Sequence, residues 1–339
     1  MKIGILTLHY GFNYGGVLQC YALQRTLESL GHEAIILDRI PRAFGSLYTI
    51  KRKFYHPWLH PEFADFRKRC LYPISKPLHS TADLENELDN GYDCCIVGSD
   101  QVWRKGVFSV EGDYFLQNIH LPGLKKIAYA ASFGTKEWEY SAEETEAISN
   151  ALKSFDYVSV RERDGVEMLQ KHCNIKSECV LDPTLLANPK IYEHLRSRSK
   201  YNANGKLVTY ILDWTTQIYE QCCEKAHKLG VEISHINPCP YDRKQTKSYT
   251  VYDWIQLLST AHAVITDSFH GSVFSAIYGR QLTILGNAAR GNSRFTALLE
   301  LFDAQFNNNI FSGVINVQET PHIAKAQNHL INIFKDILS

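Results

Sequence analysis

Short apolar runs alternate along the chain with longer stretches whose apolar residues recur at helical spacing. Residues 2–8 and 33–37 have the pattern of buried strands, and residues 16–30 between them have that of a helix ending at Gly31. This order predicts a β-α-β unit with parallel strands. Further strands are predicted at 92–97, 127–131 and 156–160, with a helix at 142–155 between the last two.

The same alternation restarts near residue 206 and predicts a second unit of the same kind. Residues 181–206, with two prolines, a polar middle and an Asn-Gly pair, have the composition of a connection between domains. We therefore predict an α/β protein with two Rossmann-like domains facing across a cleft, at 1–185 and 186–339, with the final helix packing back on the first domain. In the second domain, strands are predicted at 206–212, 231–236, 263–266 and 281–285, and helices at 216–229, 251–260 and 270–278.

Composition limits the partners and the compartment. The chain has 339 residues, 45% of them hydrophobic, which suits two well-packed domains. Lys and Arg total 36, and Asp and Glu total 36, so no overall positive field draws the protein to nucleic acid. No secretory signal pattern is present and no apolar run reaches about 18 residues, so we expect a cytoplasmic protein. None of the nine cysteines has C-x-x-C spacing, and we expect no metal and no cofactor.

Residues 39–72 depart from the α/β alternation. They contain eight Lys or Arg residues against two acidic ones, interleaved with eight aromatic residues. Basic and aromatic side chains together suit contact with an anionic membrane surface, or with sugar rings that stack on aromatics. The membrane interpretation implies a cytoplasmic protein bound peripherally at the inner face of the membrane. The alternative is an irregular packed insertion with a solvated basic face.

In the stretch AVITDSFHGSVFSAIYG, residues 263–279, a predicted strand runs directly into a predicted helix. Such a junction lies at the carboxyl edge of a doubly wound sheet, where ligands bind. Helix-start N–H groups favour an anion, and the small residues Ser268, Gly271 and Ser272 let a ligand approach the backbone. His270 in this turn is placed to act as a general acid or base near neutral pH. The alternative is a helix cap or a packed polar residue, and the spacing of Asp267, Ser268 and His270 argues against a hydrolase triad.

Polar residues also follow predicted strands in the first domain. Asn13 and Gly16 lie at the start of the first predicted helix, although no G-x-G-x-x-G motif supports dinucleotide binding. Asp100, Gln101 and Trp103 combine a carboxylate, an amide and an indole after the strand at 92–97. Such a set can hydrogen-bond to a sugar and stack on it, and the alternative is a polar turn that caps a helix.

Three arginines follow predicted strands. Arg161 is placed to make a bidentate contact with a carboxylate or a phosphate, with an ordinary surface ion pair as the alternative. Arg290 and Arg294 follow the strand at 281–285. We expect these cations to converge with the helix start at His270 on one small, highly charged anion.

Six short motifs, in this order, resemble the polysaccharide pyruvyl transferase family. Order and spacing agree over nearly the whole chain, and the predicted two-domain architecture agrees with the family's glycosyltransferase-B-like fold. The motifs are NYGGVLQCYAL at 13–23, VGSDQVW at 97–103, SVRE at 159–162, LDPT at 181–184, ITDSFHG at 265–271 and NSRF at 292–295.

The resemblance implies transfer of the enolpyruvyl carbons of phosphoenolpyruvate to two sugar hydroxyls, commonly 4 and 6 of a galactose, as a cyclic ketal with loss of phosphate. It implies an acceptor in a surface polysaccharide, such as a capsule, or in a lipid diphosphate-linked glycan. His270 matches the family's proposed acid and Arg161 a donor ligand. Many relatives have an arginine where this chain has Ser268. We expect Arg294 to supply the missing positive charge, with Arg290 as the alternative.

Phosphoenolpyruvate carries a carboxylate and a phosphate, so arginines and helix-start amides can hold it without a metal. In this interpretation His270 assists protonation of the methylene carbon, and Asp100 is the base or an acceptor ligand. The second domain is expected to bind phosphoenolpyruvate and the first the acceptor. One alternative is a nucleotide-sugar glycosyltransferase of the same architecture. The other is a non-catalytic glycan-binding protein, which the serine at position 268 would favour.

Overall fold

The computed structural model describes residues 1–9, 13–40, 61–106, 111–242, 249–286 and 293–338. The chain divides into two compact units: Met1–Ala187 together with Ala326–Ser339, and Asn188–Lys325. The division after Ala187 lies beside the predicted boundary at 185–186.

A parallel sheet forms the centre of the first unit, in the order β2-β1-β3-β4-β5-β6. The sheet order reverses between the neighbouring strands β1 and β3, so this is the point at which ligands of doubly wound sheets bind. The strands are β1 (Lys2–Leu6), β2 (Glu33–Ile36), β3 (Cys94–Val97), β4 (Lys125–Ala131), β5 (Tyr157–Val160) and β6 (Glu178–Cys179).

Helices connect these strands, and several begin with a side-chain cap. Ser80 and Ser141 each accept from the third backbone N–H of the following helix, and the acidic residue there bonds back to the serine N–H. The helices are α1 (Tyr14–Ser29), α2 (Pro61–Cys70), α3 (Thr81–Asp89), α4 (Glu111–Tyr114), α5 (Ala142–Leu152), α6 (Arg163–Met168), which continues as a π-helical turn (Leu169–Cys173), and α7 (Pro183–Leu186).

The second unit has a smaller sheet in the order β11-β10-β9-β7-β8, parallel except for the edge strand β11. Its order reverses between β7 and β9. The strands are β7 (Leu207–Tyr210), β8 (Ile233–His235), β9 (Ala263–Thr266), β10 (Gln281–Leu285) and β11 (Ile310–Val314), and the helices are α8 (Lys190–Arg196), α9 (Thr216–Leu229), α10 (Val251–Thr260), α11 (Phe269–Ile277), α12 (Ser293–Glu300) and a 3₁₀ turn (Val317–Glu319).

The last helix, α13 (Pro321–Ile337), packs on the first unit along its second half. The Phe334 ring lies 5.0 Å from that of Tyr129, centroid to centroid, and Lys125 donates to the carbonyl of Ile337 at 2.5 Å. The C-terminal segment is therefore part of the first unit's core.

Most predicted elements are confirmed to within two or three residues at each end. Several elements were not predicted, among them α2, α3, α6 and β6 in the first unit, the edge strand β11 in the second, and two helices in the connection. The antiparallel edge strand β11 has only partly buried side chains, and the connection at 181–206 contains the short helices α7 and α8.

The basic and aromatic insertion is only partly described. Phe63 and Phe66 on α2 are buried, and Arg39 forms a buried ion pair with Asp113 at 2.6 Å. These three residues fit the packed-insertion alternative, and membrane contact by the segment stays a prediction. Residues 41–60 lie outside the described residues. Across the ranges that the structure covers, no helix combines the length and apolar character required to cross a bilayer.

Candidate functional site

Asp100 lies just beyond β3, at the point where the sheet order of the first unit reverses. Its φ of 79° is in the left-handed region, an uncommon conformation outside glycine, and its Oδ1 accepts from the N–H of Gln101 at 2.9 Å. A β-carbon on Gly16 would lie 3.2 Å from Asp100 Oδ2, so the first turn of α1 lies against this carboxylate. Asn13 caps the same helix. The structure thus brings Asn13, Gly16 and Asp100 to one place.

Arg161 follows β5 and is buried among carboxylates. Its Nε donates to Glu162 Oε1 at 3.1 Å, and its Nη1 donates to Asp182 Oδ2 at 3.3 Å. Burial by itself lowers the pKa of the Arg161 guanidinium, but Glu162, Asp182 and Asp100 outweigh this and raise the pKa above its ordinary value. Arg161 is therefore cationic at neutral pH, and its charge is balanced by the protein itself.

Hydroxyl groups hold the two carboxylates that contact Arg161. Ser99 donates to Asp182 Oδ2 at 3.0 Å, and Ser132 donates to Glu162 Oε1 at 2.8 Å. Asp182 also caps α7, where it accepts from both the N–H and the hydroxyl of Thr184. Three of the six sequence motifs, VGSDQVW, SVRE and LDPT, thus meet in one buried network. Glu162 and Asp182 were not singled out individually from the sequence, although both lie inside those motifs.

The charge of this network differs from the expected cationic site. One guanidinium interacts with three carboxylates, so the described surroundings of Arg161 carry net negative charge. An incoming phosphate would compete with Glu162 and Asp182 for the same donors. A sugar hydroxyl, in contrast, can donate to a carboxylate such as Asp100. The arrangement therefore suits an uncharged, hydroxyl-bearing ligand better than an anion.

The expectation that Trp103 stacks on a sugar is wrong. The indole is fully buried, its Nε1 donates to the carbonyl of Tyr114 at 2.9 Å, and its ring stacks on Phe115 at a centroid distance of 5.1 Å. Trp103 is therefore part of the core of the first unit. Gln101 remains half-buried, with its side chain packed closely against Gly134.

In the second unit, His270 lies in the first turn of α11, directly after β9, where that sheet also reverses its order. The imidazole is buried and meets the Phe269 ring edge to face at 5.1 Å. Ser268 caps the helix by accepting from the N–H of Gly271 at 3.4 Å, and the Ser272 hydroxyl donates to the carbonyl of Ser268. The histidine is thus held at the start of a nine-residue buried helix.

The residues around His270 have structural partners. Thr266 donates its hydroxyl to the carbonyl of Tyr210 at 2.6 Å and accepts from the N–H of Ser268 at 3.0 Å. A β-carbon on Gly271 would lie 2.5 Å from Thr266 Oγ1. Glycine is therefore required here by close packing of the helix on β9, and ligand access is not needed to explain it.

Asp267 fixes the loop that follows β7. Its carboxylate accepts from the N–H of Leu212 at 2.6 Å and from that of Asp213 at 3.1 Å. The loops after β7 and β9, the two strands at the reversal, are thereby joined at the carboxyl edge. The ITDSFHG motif thus encodes a rigid strand-to-helix junction with His270 in its first helical turn.

Arg294 is the candidate arginine of this unit that the structure describes. Arg294 is half-buried in the first turn of α12, which packs against α11, and its guanidinium carbon lies 5.3 Å from the centroid of the Phe295 ring. Arg294 therefore belongs to the same unit as His270, whereas Arg161 belongs to the first unit. Arg290 lies outside the described residues.

His235, at the end of β8, was not identified from the sequence. It is buried, its Nδ1 lies 2.6 Å from Thr209 Oγ1, and Trp214 meets it edge to face at 5.2 Å. Burial lowers the pKa of His235, and Asp242 only partly opposes this, so the imidazole is neutral at neutral pH. No motif marks this residue, so only the three-dimensional fold reveals its environment.

The fold resembles that of two solved sugar-nucleotide enzymes. A candidate UDP-N-acetylglucosamine 2-epimerase from Listeria monocytogenes has a TM-score of 0.50 and 12% identity, covering 100% of this chain and 88% of that chain. The UDP-GlcNAc 2-epimerase from Methanocaldococcus jannaschii has a TM-score of 0.50 and 13% identity, covering 98% and 93%. These similarities confirm the predicted glycosyltransferase-B-like fold of two Rossmann-like units.

Sequence comparison identifies the family. No curated protein matches the sequence. The family model described as polysaccharide pyruvyl transferase, however, matches residues 13–288 of the 339. That range contains His270, Arg161 and Asp100, whereas Arg294 and the NSRF motif lie beyond it. The chain therefore belongs to the polysaccharide pyruvyl transferase family.

Proposed function

We propose that this transferase moves the pyruvyl group of phosphoenolpyruvate onto two hydroxyls of one sugar residue, commonly 4 and 6 of a galactose-type sugar, as a cyclic ketal. The acceptor in this proposal is a capsule-type surface polysaccharide or its lipid diphosphate-linked precursor. The observation that carries the proposal is His270, the family-motif histidine, buried in the first turn of α11 at the carboxyl edge of a parallel sheet.

The second unit is assigned to phosphoenolpyruvate. The N–H groups at the start of α11 and the positive end of its dipole favour the phosphate or the carboxylate of this substrate. Arg294 is the cation proposed to take the place of the arginine that many relatives have at position 268, because its helix packs against α11. Because the charge of Arg161 is already balanced by Glu162 and Asp182, the proposal does not depend on Arg161 as a donor ligand.

The reaction divides into two additions. His270, protonated, gives its proton to the methylene carbon of phosphoenolpyruvate, and the adjacent carbon becomes an oxocarbenium-like centre. The first sugar hydroxyl attacks that carbon and loses its proton. The C–O bond to phosphate then breaks, phosphate leaves as inorganic phosphate, and the second hydroxyl attacks and loses its proton to close the ketal. One proton is gained by carbon and two are lost by hydroxyls, which restores the acid and protonates the phosphate.

The first unit is assigned to the acceptor. Asp100 is proposed to bind the attacking hydroxyl and to take its proton, since it is only half-buried and is held in a strained backbone conformation. The Arg161 network holds the neighbouring carboxylates Glu162 and Asp182 in place. Arg161 is in this view a positioning residue.

The test combines binding and turnover. Phosphoenolpyruvate should raise the melting temperature, whereas UDP should not; the reverse result would favour a nucleotide-sugar transferase. With a galactose-terminated acceptor, wild-type protein should release phosphate from phosphoenolpyruvate. His270→Gln should lose most of this turnover with an unchanged melting temperature. A near-normal rate in His270→Gln would refute its assignment, and no phosphate release by wild type would refute the function.

A further inference from the structure

Two adjoining depressions on the first unit share a pair of stacked rings. Trp138 and His172 lie parallel within 4°, with their centroids 5.1 Å apart. The depression on one side has a volume of about 650 Å³ and the one on the other side about 380 Å³. The larger volume is within the range of small-molecule sites. The paired rings therefore form a ridge with a concave surface on either side, which we call the Trp138 groove.

The indole of the Trp138 groove is held in one orientation. Its Nε1 donates to Thr145 Oγ1 at 2.7 Å, and Thr145 itself donates to the carbonyl of Ser141. The rings of Phe133 and Tyr140 flank it at centroid distances of 5.4 and 5.2 Å. A rigid ring loses little entropy when a ligand binds, so this ridge is preorganised.

Polar side chains of both charges surround the rings. The larger depression has one carboxylate, Glu146, and one ammonium group, Lys153, beside the amide of Asn150 and the hydroxyl of Ser149. Such a lining offers donors and acceptors without a net field for a polyanion or a polycation. The smaller depression is lined, besides the shared rings, by Lys136, Glu137, Asp164, Glu167, Met168 and Lys171.

The loop that contains Trp138 also contacts the Arg161 network. Ser132, at the start of this loop, donates to Glu162, and Tyr140, at its end, donates to the carbonyl of Trp103 at 3.0 Å. A single loop between β4 and α5 therefore runs from the candidate acceptor site to the groove.

We propose that the Trp138 groove binds an uncharged stretch of the acceptor glycan other than the residue that is modified. Sugar rings present apolar C–H faces that stack on aromatic rings and hydroxyl rims that bond to polar side chains, which is the combination found here. This inference rests on the proposed function for the identity of the ligand. The groove then gives preference for long acceptors over short ones.

The experiment measures glycan binding in the absence of phosphoenolpyruvate. The probes are uncharged hexasaccharides of galactose, glucose or mannose and the matching methyl monosaccharides, titrated by calorimetry. Wild type should bind at least one hexasaccharide more tightly than its monosaccharide. Trp138→Ala should weaken that binding about tenfold, and Trp138→Phe, which keeps a ring, should weaken it less.

A second variant leaves the packed indole in place. Asn150→Trp on the exposed face of α5 fills the larger depression and should weaken hexasaccharide binding without changing the melting temperature. Tyr241→Ala, which removes an aromatic ring that is 42% exposed on the second unit, should bind like wild type. The proposal is overturned if no hexasaccharide binds to wild type, or if Trp138→Ala and Asn150→Trp both bind as wild type does.

Turnover separates the two proposals. Variants of the groove should raise KM for a polymeric acceptor and leave kcat for a short acceptor unchanged, because they do not touch the reacting groups. If wild type binds hexasaccharides through Trp138 but releases no phosphate, pyruvyl transfer is refuted and glycan binding at the groove is still supported. Normal pyruvyl transfer with unchanged hexasaccharide affinity in the variants would refute the groove alone.

Discussion

Replacing Gly271 with alanine puts a methyl group where the structure has no room. An ideal β-carbon there would lie 2.5 Å from Thr266 Oγ1 and 3.1 Å from Tyr210 Cδ1. Because favourable contacts lie near 3.5 Å, the first turn of α11 must move away from β9 by roughly 1 Å. Thr266 cannot move aside without breaking its hydrogen bonds to the carbonyl of Tyr210 and the N–H of Ser268.

Stability and activity should respond to Gly271→Ala unequally. Overpacking costs about 1–3 kcal/mol, whereas alanine in place of glycine within a helix stabilises by about 1 kcal/mol. We therefore expect the free energy of unfolding to fall by only about 0–2 kcal/mol. Because the displaced turn contains His270, and a 1 Å misplacement of a catalytic group can cost about 100-fold in rate, turnover should fall about 100-fold.

The assay is phosphate release from phosphoenolpyruvate with a saturating acceptor, alongside urea denaturation of each variant. Ser275→Ala is the matched control, since it lies one turn further along the same buried helix and removes only a hydroxyl bond to the carbonyl of Gly271. It should keep near-normal turnover and lose less than about 1 kcal/mol. Equal turnover in Gly271→Ala and Ser275→Ala would refute the reasoning.

Three further changes test other parts of the account. Asp100→Gly should stay within about 1 kcal/mol of wild-type stability, because relief of the left-handed backbone offsets the lost hydrogen bond to Gln101. Its turnover should nevertheless fall at least about 100-fold, and normal turnover would show that Asp100 has no part in the mechanism. Asp267→Asn should lower the free energy of unfolding by about 1.5–3 kcal/mol, because the amide nitrogen would face the N–H of Leu212 or of Asp213. A melting curve like that of wild type would contradict this. The pKa of His235 is lowered from 6.5 in the folded state, so just below pH 6.5 the unfolded state binds more protons than the folded state. The free energy of unfolding should therefore fall as the pH drops from 7 through 6.5 towards the folded-state pKa. His235→Gln should reduce this pH dependence, whereas the exposed control His322→Gln should not. Identical pH profiles for wild type and both variants would show that His235 does not cause the pH dependence.

The alternation of apolar patterns predicted the parallel sheets because each central strand is buried on both faces. The four residues of β9 are all buried and are followed at once by the buried helix α11, so both the junction and the place of His270 could be read from the sequence. The edge strand β11 has alternating, partly exposed side chains, a weaker signal, and was not predicted.

Side-chain environments could not be predicted in the same way. Trp103 and Arg161 both follow a strand at the carboxyl edge, yet Trp103 is enclosed by Phe115 and the carbonyl of Tyr114. Arg161 is held by Asp182, which is 21 residues away along the chain. These partners come together only through folding, because residues distant in sequence decide whether a loop side chain faces a ligand or the core.

Following the carbons of phosphoenolpyruvate tests pyruvyl transfer most directly. The protein is incubated with carbon-13-labelled phosphoenolpyruvate and a galactose-terminated acceptor, and the purified acceptor is examined by NMR. We predict a labelled ketal carbon bonded to two oxygens of one sugar with wild type, and none with His270→Gln. Label recovered only as free pyruvate or unreacted phosphoenolpyruvate, with an unlabelled acceptor, would contradict the central claim that this protein transfers a pyruvyl group to a glycan.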